Sequence, residues 1–149
     1  MAEFFEDLAI GQVLKFGHYA VTREEVIDFA RKYDPQPFHL DDEAAAQTHF
    51  GRIAASGWHS CAMMMAMLVA HFQSVDHQGL GSPGMDEIRW LVPVYPGDML
   101  RLETTVVELT PSRSKPDRGS AVTRIEMFNQ HDVCVMRMVS RTMVRRRPA

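Results

Sequence analysis

The feature that most limits what this chain can fold into is the stretch from Trp58 to about Phe72, which shows no polar face after Ser60. A helix with one wet side carries its apolar residues in a stripe, whereas a helix that is apolar all round has to be covered all round. The longest unbroken apolar run, Cys61 to Ala70, falls well short of the roughly 20 residues that cross a bilayer, so the stretch reads as a buried central helix and not a membrane segment. With 149 residues and 46% hydrophobic content the chain can bury one sizeable core around such a helix, and residues 1–149 read as one domain.

Material to cover the helix lies mainly after it. Glu87–Val92, Met99–Leu109, Ala121–Asn129 and Val133–Val144 are rich in β-branched residues and partly alternate, and turn residues at Pro96-Gly97-Asp98, Pro111–Gly119 and Gln130-His131-Asp132 separate them. A weaker strand spans Val13–Val21, and Gln73–Gly84 reads as a loop. About five antiparallel strands and one apolar helix predict an α+β layout in which the sheet curls around the helix.

Upstream, Thr22-Arg23-Glu24-Glu25 has capping-box spacing, which predicts a helix from Arg23 with Val26, Phe29, Ala30 and Tyr33 on one face. Pro35 ends that helix and leaves Asp34 at its exit. Asp34-Pro35-Gln36-Pro37-Phe38-His39 is stiffened by two prolines, and Asp41 or Asp42 then caps a brief helix through Ala46.

Charge and composition narrow the function. Sixteen basic and 19 acidic residues leave a net charge of −3, without the basic field that nucleic acid binding needs, and Arg145-Arg146-Arg147 reads as a solvated end. Cys61 and Cys134 make a poor disulfide framework, and the acidic opening Glu3-Phe4-Phe5-Glu6-Asp7 does not resemble a secretory signal, so a reducing cytoplasm is expected. His39, His49, His59, His71 and His77 form no helical i, i+4 pair or compact ligand set of the zinc kind, and no Gly-rich phosphate loop is present.

The pair with the clearest chemistry is Asp34 and His39. A carboxylate and an imidazole on a stiff loop can together orient and deprotonate a water, although a loop tether and a satisfied half-buried histidine explain the same two residues. Ala55-Ser56-Gly57 opens the central helix, where free amides and the positive dipole end can polarise a carbonyl oxygen; ordinary capping by Ser56 is the simpler reading of that tripeptide.

Three segments carry a family resemblance that runs from about Phe5 to Arg147. Tyr33-Asp34-Pro35-Gln36-Pro37-Phe38-His39-Leu40-Asp41 resembles the hydratase motif of the MaoC-like dehydratases and (R)-specific enoyl-CoA hydratases. Phe50–His59 is similar to the stretch entering that family's central helix, and Pro93-Val94-Tyr95-Pro96-Gly97-Asp98 resembles a turn recurrent in hot-dog-fold acyl-thioester proteins. The resemblance implies a hot-dog fold, a homodimer or an assembly of dimers joined sheet edge to sheet edge, and hydration of an enoyl-thioester without a cofactor; the same fold without hydration would make a thioesterase or a non-catalytic acyl-thioester binder, a reading that the Asp34 and His39 arrangement disfavours. It implies that Asp34 and His39 activate water and that the Gly57 amide receives the thioester oxygen. Ser56, Phe38, Trp58 and Ser60 are then expected around the substrate, an acyl-CoA or acyl-carrier thioester, with Arg113, Lys115 and Arg118 of a basic hairpin meeting its phosphates. Met63, Met64 and Met65 stand where some family members carry a hydroxyl, and they read either as core or as a soft wall admitting an unusual acyl group.

Overall fold

The apolar stretch forms a single helix, α3 (Gly57–Ser74), in the computed structural model, which describes residues 1–149. Around it curls one antiparallel sheet of β1 (Val13–Ala20), β2 (Gly84–Trp90), β3 (Met99–Pro111), β4 (Arg118–Phe128) and β5 (Cys134–Arg145) in the order β1-β3-β4-β5-β2. The inner side of the sheet and the inner face of α3 share a methionine-rich core that includes Met63, Met64, Met67, Met127, Met136 and Met138 beside Leu100, Leu102 and Val135. One row of the outer side, Lys15, Glu103, Glu126, Arg137 and Arg89, lies opposed strand to strand across all five and keeps that side wet. Gly17, at φ +95°, sits where β1 slips register against β3. A Cβ there would stand 2.7 Å from the Met67 sulfur, so the glycine lets α3 settle onto β1.

The helix α1 (Arg23–Tyr33) and the short α2 (Asp42–Ala46) precede α3, with a 3-10 turn at Pro37–His39 between them. Thr22 caps α1 by accepting from the Glu25 N–H at 3.2 Å, but the capping box is only half formed. The Glu25 carboxylate turns away to accept from the Tyr19 hydroxyl and to meet His59 Nε2 at 3.1 Å. Asp41 caps α2.

Four expectations need correction. The strand expected at Glu87–Val92 runs earlier, as Gly84–Trp90, and carries a kink at Glu87 (φ +53°) where its register shifts against β5. Leu91 and Val92 instead both donate their N–H to the Val135 carbonyl and bend over α3. The central helix, read as wrapped on nearly all sides, is open along one: Trp58, Ala62, Met65, Ala66, Val69 and Ala70 form an exposed apolar stripe along it. Of the two readings of the methionine trio, core holds for Met63 and Met64 while Met65 lies on that stripe, and none of the three lines the cleft beside Asp34 and His39, so the wall reading falls there. The basic tail is not simply solvated either, since Arg146 pairs with Glu6 at 3.0 Å and Arg147 with Asp7 at 2.6 Å. No helix is long and apolar enough to cross a membrane.

Candidate active site

Asp34 occupies the C-cap of α1, with its N–H returned to the Ala30 carbonyl, and the two prolines then turn the chain so that His39 comes back beside it. His39 is 5% exposed and its Nδ1 lies 2.7 Å from the Ala54 carbonyl. A carbonyl only accepts, so Nδ1 carries a proton, and in the neutral ring Nε2 then presents its lone pair. That Nε2 faces Asp34 Oδ2 at 3.4 Å.

The carboxylate is fixed at both oxygens. Gln36 Nε2 donates to Oδ1 and the Ser56 hydroxyl donates to Oδ2, each at 2.7 Å. Burial pushes the Asp34 carboxyl up, but the donors from Ser56 and Gln36, with His39 nearby, outweigh it and hold the group below its ordinary value. With the imidazole neutral, a carboxylate oxygen and a ring-nitrogen lone pair lie side by side, close enough for one water beside them to donate to both.

Ser56 caps α3, as its place in the sequence suggested, by accepting from the Trp58 N–H at 3.2 Å, but its hydroxyl donates to Asp34, so it stands behind the carboxylate and not among the lining residues where a substrate contact was expected. Gly57, the first residue of α3, has an N–H with no acceptor in the chain, as expected of a helix start. Its carbonyl accepts from Trp90 Nε1 at 2.9 Å, and a Cβ on Gly57 would stand 2.5 Å from the Trp90 ring. Close approach of the indole, not backbone conformation, makes glycine the residue that fits.

These groups line an open cleft of about 520 Å³. Phe38 stacked on Phe50 forms one wall, Trp58 and Trp90 in edge contact form another, and Ala55, Ser60, Val94 and Val135 make the floor. Asp34, His39, Gly57, Phe38, Trp58 and Ser60 thus come together as expected, with Ser56 bonded behind Asp34.

Arg113, Lys115 and Arg118 do not join them. Their hairpin closes β3 and β4 beside Arg145, whereas the cleft lies beside Val135 at the other end of β5, roughly 30 Å away at the rise of an extended strand. Arg118 is moreover tied to Asp117 at 2.9 Å. Within one chain these side chains meet nothing held in the cleft.

Gln36, His49, Phe50 and Trp90 belong to the cleft and were not singled out by sequence. Gln36 was visible between the two prolines, but its contact with Asp34 depends on how tightly that spacer turns. Trp90 reaches Gly57 from an edge strand, a contact no local pattern announces. No three His, Cys, Asp or Glu side chains group closely enough to hold a metal ion.

Residues 6–127 match the family described as MaoC like domain, and the chain belongs to that family. The crystal structure of a MaoC-like dehydratase from Rhodospirillum rubrum is similar throughout, with a TM-score of 0.89 and 40% identity over 99% of each chain. The 3-hydroxybutyryl-CoA dehydratase of Methylorubrum extorquens is 29% identical over 116 residues, 75% of this chain and 69% of that protein. The uncharacterized protein YdeM of Bacillus subtilis is 29% identical over 130 residues, 87% of this chain and 90% of that protein. The sheet curled around α3 is the hot-dog fold.

Proposed function

We propose that this chain hydrates an enoyl-thioester and runs the reverse dehydration, interconverting an enoyl-CoA, or an enoyl group on a carrier protein, and a 3-hydroxyacyl-thioester. The observation that carries the reading is the facing pair of acceptors, Asp34 Oδ2 and His39 Nε2, 3.4 Å apart at the edge of a mostly apolar cleft. A water donating one hydrogen to each has its oxygen lone pairs turned toward a bound acyl group. In the addition the water oxygen bonds to C3, its proton passes to the pair, and C2 takes up a proton as the C2–C3 π bond is consumed. Charge gathers on the thioester oxygen, where the free Gly57 N–H and the positive end of α3 can receive it. The step is neither a redox reaction nor a group transfer and calls for no cofactor. Phe38 and Trp58 take the role of apolar walls, and Ser60 that of a floor contact.

A second copy completes the assembly in this proposal. The sheet ends at β2 with one side of that strand unpaired, and the exposed stripe of α3 starts beside it, at Trp58 against Trp90. Edge-to-edge pairing would cover both and set the two clefts at the junction. The free thiols Cys61 and Cys134 fit a reducing compartment such as the cytoplasm.

The test is turnover of crotonyl-CoA by the intact protein and by Asp34→Asn and His39→Gln. Each substitution is expected to lower turnover by about 100-fold or more, the usual scale for a general acid–base group. Full activity in both variants would remove the assigned roles.

A further inference from the structure

Ser60 stands apart from the other hydroxyls of the site. It is 2% exposed and lies on the cleft floor among Ala55, Val94 and Val135, which are 8%, 3% and 1% exposed. Ser56, one turn earlier, spends its hydroxyl on Asp34 and the Trp58 amide, but Ser60 Oγ has no donor or acceptor within the chain. His59 Nδ1 is the one fully enclosed side-chain polar atom left without a partner, so the Ser60 hydroxyl is not sealed in the core; it opens onto the cleft. A hydroxyl that faces the cleft from apolar surroundings offers a donor and an acceptor to whatever occupies it.

We propose that Ser60 is a specificity-determining residue that bonds an uncharged oxygen on the acyl group, so that the preferred substrate is an enoyl-thioester with a hydroxyl or carbonyl oxygen near C4. The inference rests on the hydratase reading for where the thioester sits. With its oxygen at the Gly57 N–H, Ser60 lies three residues further along α3, about 4.5 Å in axial rise, which is close to the span from C1 to C4 of an acyl chain. Charge decides between a neutral oxygen and a carboxylate. No Lys or Arg lines the cleft, and the carboxyl of Asp34 is held toward its ionised form, so a second carboxylate would enter against a like charge with no permanent cation to offset it. A hydroxyl that both donates and accepts matches a neutral oxygen without that cost.

The experiment compares three four-carbon substrates: crotonyl-CoA, 4-hydroxycrotonyl-CoA and fumaryl-CoA. Each is assayed with the intact chain, Ser60→Ala and Ser60→Thr, alongside calorimetric binding of the saturated counterparts butyryl-CoA, 4-hydroxybutyryl-CoA and succinyl-CoA. The readout is the ratio of kcat/KM, and of affinity, for the hydroxylated over the plain acyl group. The intact chain should favour the hydroxylated one by about three- to tenfold, the range for one neutral hydrogen bond, with fumaryl-CoA poorest. Ser60→Ala should bring the ratio to about one, and Ser60→Thr, which keeps the hydroxyl, should retain it. A ratio of one in the intact chain, a ratio unchanged by Ser60→Ala, or a preference for fumaryl-CoA would overturn the assignment. Turnover without discrimination would sink this inference and leave hydration standing. Discrimination in binding without turnover of any enoyl-thioester would do the reverse.

Discussion

Asp34 gains its position from three neighbours that each do a second job. Ser56 caps α3, Gln36 opens the 3-10 turn, and His39 is pinned by the Ala54 carbonyl. Removing one support is therefore expected to cost stability and, with Asp34 in its proposed role, turnover. Ser56→Ala should lower stability by about 1 kcal/mol through the lost cap. It should also lower turnover by about 10- to 100-fold, because a charge-assisted bond to Asp34 goes with it. Urea denaturation beside a rate assay checks both, and a variant that loses stability at unchanged rate would leave Ser56 as a cap alone. Asp34 and His39 were legible in the sequence because they lie five residues apart on one proline-stiffened loop, where local rules reach. The Gln36 contact was not, since spacing does not say which side chain a tight turn folds back onto the carboxylate.

At the level of elements, the junction of β1, α1 and α3 is held by Tyr19, Glu25 and His59. His59 is 3% exposed, stacks on Phe29 with ring centroids 4.6 Å apart, and has only Glu25 as a hydrogen-bond partner. Burial pushes its pKa below the ordinary histidine value, and this outweighs the opposing pull of Glu25. The unfolded chain then takes up a proton near pH 6.5 that the folded chain still refuses. Stability from His59 is thus present above about pH 6.5 and falls as the pH drops below it, by at most about 1.4 kcal/mol per pH unit for one proton. Chemical denaturation at pH 7 and pH 5 should show a smaller loss for His59→Gln than for the intact chain; equal losses would contradict the assignment. The capping-box spacing correctly placed the start of α1, but the same Glu25 was claimed by a tertiary contact 34 residues away. Strand positions were legible from alternation and turn residues, except in β2, where the kink at Glu87 and the pull of Val135 on Leu91 and Val92 are set by the neighbouring strand.

For the molecule as a whole, the α+β layout followed from one apolar helix and strand-forming runs enough to cover it, and the structure has that layout. The helix is nevertheless open along Trp58, Met65 and Val69, a surface that one curled sheet does not reach and that periodicity in one chain cannot apportion between self and partner. If a second copy covers it, Met65→Glu should convert a dimer to a monomer in sedimentation velocity; a monomeric intact chain would contradict edge-to-edge assembly. The cleft, the fixed carboxylate and the free Gly57 amide together make one chemical claim, that water adds to a conjugated thioester without breaking the thioester bond. The most direct test follows the absorbance of crotonyl-CoA after the protein is added, with a thiol reagent in a parallel sample and Asp34→Asn as control. Hydration by the proposed pair gives loss of the enoyl signal with no free thiol, slowed about 100-fold or more by Asp34→Asn, whereas release of thiol, or an equal rate in the control, would contradict it.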